Sequence, residues 1–400
     1  MRGMSNERSF PSCHRRLRLG IVTETWPPEI NGVALTIARW VEGLRQRGHG
    51  VQLVRVSRGA HDQTPAVDDL ETLRLPGFRI PGYPQLQGGW PAQRVLLDHW
   101  RQTRPDLIHI VTEGPLGYSA LRAARRLAIP ASTSFHTNFH GYSRHYHLGW
   151  LATPIRAYLR HFHNQGVQTL VPTVELAEQL QTLGFRHTQV LARGVDTALF
   201  SPHRRDPALR QAWGVTPETP VVLHVGRLAA EKNLELAISA FTAVRRVQPA
   251  ARLVLVGDGP LTAGLRARHP EFVYCGMRQG EDLATHYASA DLFLFPSLTE
   301  TFGNVVLEAM ASGLPVIAFD YAAAHAHIES GSSGRLAPVA DHQVFIAHAA
   351  DLVKDVAVLR RMGEIARQAM REVDNERIYD RLETLFLNAM TGETSCPTAA

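Results

Sequence analysis

The stretch LFLFPSLTETFGNVVLEAMASGLPVIAF, residues 292–319, contains the pattern from which the fold can be predicted. An apolar run, Leu292–Phe295, is followed by a polar loop, by a helix expected over 303–312, and by a second apolar run, Pro315–Phe319. Gly313 and the proline that follows it are typical of a helix end. A strand, a helix and another strand in this order predict part of a parallel sheet.

The same alternation of short apolar runs and helical stretches continues on both sides of residues 292–319. Because such alternation places helices on both faces of a parallel sheet, we predict an α/β chain with two doubly wound, Rossmann-like domains facing across a cleft. The other predicted strands are Leu17–Glu24, Val51–Val56, Leu107–Val111, Ala131–Phe135, Thr169–Pro172, Val221–Val225, Arg252–Val256 and Phe272–Cys275, and Val33–Gln46 is predicted as a helix.

Breaks in this alternation suggest where the domains begin and end. The segment 196–220 holds four prolines among polar residues, which is typical of a connection between domains. The predicted organisation is a disordered N-terminus over 1–16, an N-terminal acceptor-side domain over 17–195, a linker over 196–220, a C-terminal nucleotide-sugar-binding domain over 221–375, a helix over 376–390 that packs back toward the N-terminal domain, and a disordered tail over 391–400.

The composition is that of a globular protein, with 400 residues of which 44% are hydrophobic and 20% charged. No apolar run of helix-spanning length lacks a charge, so no transmembrane helix is expected. The apolar run over 17–22 is too short for a signal peptide. Three widely spaced cysteines indicate a reducing compartment, and therefore a cytoplasmic protein without a cysteine-based zinc site.

The net charge of +5 suits a phosphate-bearing ligand or an anionic surface. The basic residues are not clustered, so nucleic acid is not an expected partner. Among the 42 Lys and Arg residues only Lys232 and Lys354 are lysines, which draws attention to both.

The segment from Glu300 to Glu308 follows a predicted strand and opens a predicted helix. The N–H groups of Gly303, Asn304 and Val305 would be free to bind an anion at this helix N-terminus. Glu300 could accept hydrogen bonds from two vicinal hydroxyls of a sugar, and Glu308 lies one turn after Asn304 on the same face. The alternative is that Glu300 caps the helix and Glu308 is solvated.

The segment from Gly226 to Asn233 follows the first predicted strand of the second domain. Arg227 offers a planar fork and Lys232 a point charge, which is a common combination around a diphosphate. The alternative interpretation is two surface cations in a loop.

Taken together, E-x7-E preceded by G-R-x4-K resembles the retaining family 4 glycosyltransferases of GT-B fold. The segments Asn31-Gly32, Arg193–Asp196 and Thr299–Asn304 are similar in particular to bacterial GDP-mannose-dependent α-mannosyltransferases and related lipid glycosyltransferases. The resemblance covers about residues 17–390. Further segments that resemble the family are Ile30–Val33, Ser134–Thr137, Gly194–Asp196 with Phe200, Gly257–Pro260 and Ala309–Val316.

The resemblance implies a role for individual residues of this chain. Arg227 and Lys232 would hold the donor diphosphate, Glu300 would contact the transferred sugar, and Glu308 the nucleotide ribose. The backbone around Gly303, Asn304 and Val305 would bind phosphate or sugar hydroxyls, and His136 would lie at the reactive face of the sugar. The loop of Asn31 and Gly32 would approach the phosphates, and Met277 and Arg278 would lie near the base.

Two departures from the family pattern stand out. Arg193 occupies a position where many relatives have Asn. The usual Gly/Glu-rich turn after the Pro315–Phe319 strand is replaced by Ala322–Ser330, so the carboxylate expected near Ala326 is missing.

The resemblance also implies the activity: retaining transfer of a hexose, first of all mannose from GDP-mannose, to a lipid or glycan hydroxyl. The donor is then a substrate and no cofactor is expected. The chain has no D-x-D motif, the carboxylate pair that would hold a metal, so no metal is expected either. The alternatives are a UDP-sugar-dependent glucosyl or related lipid transferase, a nucleotide-sugar epimerase on the same scaffold, and a non-catalytic sugar-binding module.

The segment Gly149–His163 mixes aromatic residues with Arg156 and Arg160. A basic aromatic helix can lie on an anionic membrane, which would place the protein peripherally at the inner membrane face. The alternative is an ordinary surface helix whose apolar side packs in the core.

Overall fold

The structure is a computed structural model that describes residues 15–29, 31–57, 70–80, 83–136, 149–300 and 302–392. The predicted disordered ends fall almost wholly outside these residues, and Ile30 and Thr137 of the resembling segments also lie outside them. The chain divides into two compact units, residues 1–133 and 134–400.

Strands and helices alternate along most of both units. The strands are β1 (Arg18–Thr23), β2 (Gly50–Val56), β3 (Glu71–Leu75), β4 (Gly77–Ile80), β5 (Tyr83–Gly89), β6 (Leu107–Ile110), β7 (Ala131–Ser134), β8 (Gln168–Val171), β9 (Thr188–Val190), β10 (Val221–Val225), β11 (Arg252–Val256), β12 (Val273–Gly276), β13 (Leu292–Phe295), β14 (Val316–Phe319) and β15 (Gly334–Ala337).

The helices are α1 (Gly32–Gln46), α2 (Gln93–Thr103), α3 (Pro115–Arg126), α4 (Gly149–His163), α5 (Val174–Thr182), α6 (Pro207–Ala212), α7 (Leu234–Val247), α8 (Thr262–Arg268), α9 (Gly280–Ala288), α10 (Asn304–Ala311), α11 (Ala322–His327), α12 (His342–Leu352), α13 (Val356–Ala369) and α14 (Asn375–Thr391). Short 3-10 turns occupy Pro202–Arg204, Ala230–Lys232 and Met370–Val373.

Two sheets organise these elements. One has seven strands in the order β3-β2-β1-β6-β7-β8-β9, and the other has six in the order β12-β11-β10-β13-β14-β15. Every pairing in the six-stranded sheet is parallel, with Leu223 opposite both Val254 and Phe293 at its centre. β4 and β5 form a separate antiparallel pair. The prediction of a doubly wound α/β fold is therefore confirmed.

The six-stranded sheet is covered on both faces. Val221, Leu223 and Val225 of β10 belong to one hydrophobic cluster, whereas Val222 belongs to another. Since successive side chains of a strand point to opposite faces, the two clusters cover opposite faces of the sheet. Buried helical residues such as Phe241 of α7 complete the second cluster.

In the first unit β1 supplies an almost fully buried central strand, and α1 packs its apolar stripe inward through Ile37, Trp40 and Leu44. Asn31 caps this helix, since its side chain accepts a hydrogen bond from the backbone N of Ala34 at 2.8 Å.

The second unit also contains the predicted linker and the last helix. Residues 196–220 carry a 3-10 turn and α6. The last helix, α14, begins one residue before and ends one residue after the predicted 376–390, and Gln168 of β8 donates to the backbone O of Leu385 in it at 3.1 Å. No helix in the part of the chain that the structure describes is long and apolar enough to cross a bilayer.

Candidate functional site

The parallel strands of the six-stranded sheet end along one edge, and most of the predicted site residues follow these strand ends. Lys232 follows β10, Arg278 follows β12, and both Glu300 and Gly303 follow β13. The carboxyl edge of a parallel sheet is where ligands of doubly wound domains bind.

The N-terminus of α10 has no side-chain cap, because the residue at its N-cap position is Gly303. Gly303 precedes the first helical residue with a φ of 102°, a left-handed conformation that favours glycine. A Cβ at Gly303 would lie 3.1 Å from Cζ of Phe295, so the turn also lies tightly against the end of β13. The first N–H groups of α10 have no partner within the helix, and they provide a local positive field.

Lys232 and Glu300 form an ion pair at this edge. The Lys232 ammonium donates to the Glu300 carboxylate, and the two side chains are 23% and 15% exposed. Asn233, which follows Lys232, donates to the backbone O of Pro296 at 3.2 Å and ties the two loops together. A largely buried pair of this kind holds both charged groups in place. A ligand group with the same charge as one partner can replace that partner in the pair.

Tyr321 supports the loop that carries Glu300. Its hydroxyl donates to the backbone O of Ser297 at 2.7 Å and accepts from the backbone N of Glu300 at 3.2 Å. Burial raises the pKa of Tyr321, and the Glu300 carboxylate raises it further, so the hydroxyl stays protonated as this arrangement requires.

Glu308 is buried rather than solvated, with 8% of its surface exposed. The Tyr287 hydroxyl of α9 donates to its Oε2 at 3.2 Å. Burial and the nearby Glu308 charge raise the pKa of Tyr287 well above its usual value, so this donor keeps its proton. The alternative of a solvated Glu308 is therefore wrong.

Arg193 is a site residue for which the sequence predicts no role, although it belongs to the resembling segment Arg193–Asp196 and departs from the usual Asn. It lies just after β9 and is 5% exposed, and its Nη1 donates to Oδ1 of Asn304 at 3.2 Å. Its Nη2 lies 3.5 Å from Nδ1 of His136, and the guanidinium carbon is 5.4 Å from the ring centre of Phe302. Arg193 thus joins two predicted residues, His136 and Asn304, whose separation in the sequence hides their proximity.

His224, another buried residue that the sequence pattern did not single out, lies on β10 just before Gly226. Its Nδ1 is 3.1 Å from the backbone O of Leu294, a distance that places the proton on Nδ1. Burial, with a smaller contribution from the Lys232 charge, lowers the pKa of His224 to about 4. The ring is therefore neutral at physiological pH.

Three of the predicted residues lie at exposed positions near strand ends. The Arg227 side chain is 58% exposed and pairs with Glu231 at 3.6 Å. Arg278 pairs with Asp282 at 2.9 Å, and the neighbouring Met277 is 50% exposed. Within the described ranges no hydrogen bond or ion pair joins any of these three to the Lys232–Glu300 pair, so their roles stay predictions.

The segment Gly257–Pro260 has a packing explanation. A Cβ at Gly257 would lie 1.9 Å from the backbone O of Gly226, and one at Gly259 would lie 2.4 Å from the backbone O of Leu228. The glycines therefore let this loop pack directly on the backbone of the loop that leads to Lys232.

Asn31 and Gly32 belong to the first unit. The Asn31 side chain caps α1 and its Nδ2 donates to Thr25 Oγ1 at 2.7 Å, while Gly32 is the first residue of that helix. Capping of α1 explains why an asparagine occupies position 31. The approach of this loop to phosphates stays a prediction.

Glu24, at the end of β1, is a further residue that sequence reasoning missed. Its Oε1 accepts from the backbone N of Leu116 at 2.9 Å, at the N-terminus of α3. Burial raises the pKa of Glu24 to about 7, although backbone hydrogen bonds from Leu116, Gly89 and Gly117 oppose this. A Cβ at Gly114 would lie 2.0 Å from Oε2 of Glu24, so a glycine is required beside this carboxyl group.

Among the described residues no group of three His, Cys, Asp or Glu side chains is arranged to hold a metal ion. The positive charges near the candidate site come from Lys232, Arg193 and the N-terminus of α10.

Two family descriptions match the chain. Residues 30–199 match "Glycosyltransferase Family 4" and residues 219–355 match "Glycosyl transferases group 1". Among solved structures, a sucrose-phosphate synthase from Thermosynechococcus elongatus superposes with a TM-score of 0.76 at 18% identity, covering 94% of this chain and all of that one. At this identity the likeness shows the fold, which is GT-B.

Curated relatives carry the comparison further. A GDP-mannose-dependent α-mannosyltransferase of Corynebacterium glutamicum is 35% identical over 371 residues, which is 92% of this chain and 88% of the relative. One of the same name from Mycobacterium tuberculosis is 36% identical over 82% of this chain and 85% of the relative. An α-monoglucosyldiacylglycerol synthase of Streptococcus pneumoniae is 26% identical over 76% of this chain and 71% of the relative. The resemblance seen in the sequence is confirmed, and the chain belongs to glycosyltransferase family 4.

Proposed function

We propose that the chain is a retaining hexosyltransferase that moves mannose from GDP-mannose to a hydroxyl of a lipid or glycan acceptor. The observation that carries this proposal is the Lys232–Glu300 pair beside the uncapped N-terminus of α10. It offers cationic groups for a diphosphate and a carboxylate for sugar hydroxyls at a single edge of the sheet. The names of the relatives at 35% and 36% identity support mannose and GDP as the sugar and the nucleotide.

In this proposal each group acts on one part of the donor. Lys232 transfers its contact from Glu300 to the diphosphate and stabilises the negative charge that develops on the leaving group. Glu300 is thereby released to accept hydrogen bonds from the sugar hydroxyls. Glu308, held by Tyr287, accepts from the ribose, and Arg227 supplies a further cation from the rim.

The reaction proceeds by attack on the same face as the leaving group. The bond between the anomeric carbon and the diphosphate oxygen breaks, and the bond from that carbon to the acceptor oxygen forms. The acceptor proton passes to the leaving diphosphate. His136 lies at the reactive face, and Glu300 is engaged with hydroxyls rather than acting as a nucleophile.

The direct test is an isotope-transfer assay with labelled GDP-mannose, GDP-glucose, UDP-glucose and UDP-galactose, each with and without a lipid extract. We expect label in the lipid fraction from GDP-mannose, and only when the extract is present. Nucleotide release or sugar interconversion without an acceptor would instead support an epimerase. Binding without any turnover would support a sugar-binding module.

A second candidate is a UDP-sugar-dependent lipid glucosyltransferase. The observation in its favour is the similarity to the α-monoglucosyldiacylglycerol synthase over most of the chain. A thermal-shift panel separates the two, because a nucleotide present at 100 times its Kd stabilises the folded state by about 2.7 kcal/mol. GDP should raise Tm more than UDP or ADP.

We expect transfer activity to persist in excess EDTA. The reason is that Lys232, Arg227 and the N-terminus of α10 can neutralise the leaving diphosphate without a metal. Initial rates measured before and after chelation check this expectation. Loss of activity that Mg²⁺ or Mn²⁺ restores would contradict the proposed charge assignment.

We also propose that α4 contacts an anionic membrane peripherally. Ile155 and Tyr158 are 39% and 40% exposed on this helix, beside exposed Arg156 and Arg160. Since a basic residue near an anionic surface contributes about 1 kcal/mol, changing both arginines to Gln should weaken vesicle binding by about 30-fold.

Flotation with phosphatidylglycerol-containing vesicles and with phosphatidylcholine vesicles measures this effect. A matched control changes the exposed Arg245 and Arg246 of α7 to Gln, which alters the net charge equally. Equal binding of the two double variants to anionic vesicles would contradict a specific role of α4.

A further inference from the structure

Arg193 carries a buried positive charge, which requires a physical explanation. The residue is 5% exposed, and burial lowers the pKa of its guanidinium only to about 10, so it is cationic at neutral pH. A buried charge is costly unless it is paired and fully hydrogen-bonded.

The contacts of Arg193 are mostly with neutral groups. Nη1 donates to the amide oxygen of Asn304, Nη2 approaches the ring of His136, and the plane lies near Phe302. Its Nε has no hydrogen-bond partner. Across the described ranges no carboxylate lies within ion-pair distance of this guanidinium. The Glu300 charge acts on Arg193 from a greater distance and raises its pKa, but Glu300 is itself paired with Lys232.

The second observation is the place where this unpaired cation lies. Asn304 is the first residue of α10, and the preceding Gly303 provides no capping side chain. A buried guanidinium and an uncapped helix N-terminus therefore meet at one point. Both favour negative charge, and the guanidinium offers an unused donor as well.

We propose that Arg193 is a direct ligand of the donor diphosphate, at the N-terminus of α10. This inference rests on the proposed function and adds a residue to its site. The anion accepts from the Arg193 guanidinium and from the first amides of α10, so the buried charge gains its counter-ion when the donor binds. Lys232 and Arg227 bind the same diphosphate from the segment between β10 and α7.

The proposal also gives Arg193 a part in specificity. Asn304 and Phe302 hold the Arg193 guanidinium in position before the anion binds. Little side-chain freedom is therefore lost on binding. A nucleoside without phosphates gains nothing from Arg193. The residue therefore selects for the diphosphate and is indifferent to the base.

The test compares ligands with and without phosphates. Calorimetric titrations with GDP, guanosine and inorganic pyrophosphate are carried out on the wild type and on Arg193→Met. Loss of a charged hydrogen bond predicts about 10- to 150-fold weaker binding of GDP and weaker binding of pyrophosphate, with guanosine affinity unchanged.

Arg367→Met is the matched control. Arg367 donates from Nη1 to the backbone O of Ala311 at 2.9 Å, at the opposite end of α10, and to the backbone O of Phe200. It is a structural arginine of α13 that contacts the C-terminal end of α10, so its replacement should leave GDP affinity as in the wild type. A purely structural role of Arg193 would make the two variants behave alike.

The outcomes separate this inference from the proposed function. Wild-type affinity for GDP in Arg193→Met, or equal losses for GDP and guanosine, overturns the role of Arg193. Pyrophosphate binding that depends on Arg193 in a protein that binds no nucleotide supports the anion site and overturns the proposed donor. A wild type that binds neither GDP, UDP nor pyrophosphate overturns both.

Arg193→Lys keeps the test decisive if the methionine variant does not fold. Lysine retains the charge but loses the planar fork and the unused Nε donor. We expect a smaller loss of GDP and pyrophosphate affinity than for methionine, again without a change for guanosine. Wild-type affinities in this variant would overturn the proposal.

Discussion

Replacing Lys232 by alanine should lower kcat/KM for sugar transfer by about 10- to 150-fold, because a charged hydrogen bond to the leaving diphosphate is lost. A second effect of the substitution also lowers kcat/KM. Glu300, 15% exposed, loses its partner and is left as a buried carboxylate without a counter-ion. Single-turnover rates with saturating donor measure the contribution to the chemical step.

Lys354 provides the control, because it is the other lysine of the chain. Its side chain is 61% exposed and pairs with Asp351 at 3.1 Å. Lys354→Ala should leave kcat/KM unchanged, since an exposed pair contributes little. Small and equal effects of the two substitutions would contradict the assignment of Lys232 to the diphosphate.

The central strands could be predicted from sequence because they are mostly apolar. β10, β11 and β13 match the predicted bounds, and each is buried along nearly its whole length. Continuous apolar runs bounded by loops are the pattern of a buried parallel strand. Because helices pack on both faces of the sheet, such runs have few alternative structures available to them.

The strands that were not predicted lack this pattern. β3 is mostly half-exposed or exposed, β9 has three half-buried residues, and β15 begins with a glycine. The β4–β5 pair is short and includes three glycines, Gly77, Gly88 and Gly89. Their pairing depends on the neighbouring strands rather than on local hydrophobicity, so the sequence alone gives little indication of them.

The site was predictable to the extent that its residues lie close together in the sequence. The spacing of Asn304 and Glu308 places both on one helix face, and the loop of Lys232 follows directly from β10. The pairing of Lys232 with Glu300 and the burial of Arg193 against Asn304 depend on tertiary contacts between distant segments. Hydrophobic periodicity contains no information on such contacts. Arg193 therefore stood out in the sequence only through its resembling segment and its departure from the usual Asn, without a predicted role.

Glu308→Gln and Glu300→Gln should have different effects on binding and on rate. Glu308 is predicted to bind the ribose, which is shared by the donor and the free nucleotide. Its neutralisation should weaken binding of both by about 10- to 150-fold, because a charge-assisted hydrogen bond is lost. Tyr287→Phe is a milder variant, since it removes the donor to Glu308 and keeps the carboxylate.

Glu300 contacts only the sugar in this proposal, and in the structure it pairs with Lys232. Glu300→Gln removes a negative charge that competes with the diphosphate for Lys232. Free GDP should therefore bind at least as tightly as to the wild type, although single-turnover transfer becomes slower because sugar contacts made in the transition state are lost. Tighter GDP binding combined with slower transfer is an effect that a helix-capping role of Glu300 would not produce.

Calorimetric titration with GDP, together with single-turnover rates from GDP-mannose, separates the two carboxylates. Loss of GDP binding in Glu300→Gln with normal binding in Glu308→Gln would reverse the two roles. If neither substitution changes affinity or rate, the site lies elsewhere on the chain. Since the ion pair predicts the sign of the affinity change in Glu300→Gln, weaker GDP binding in this variant alone would show that Lys232 does not pass from Glu300 to the diphosphate.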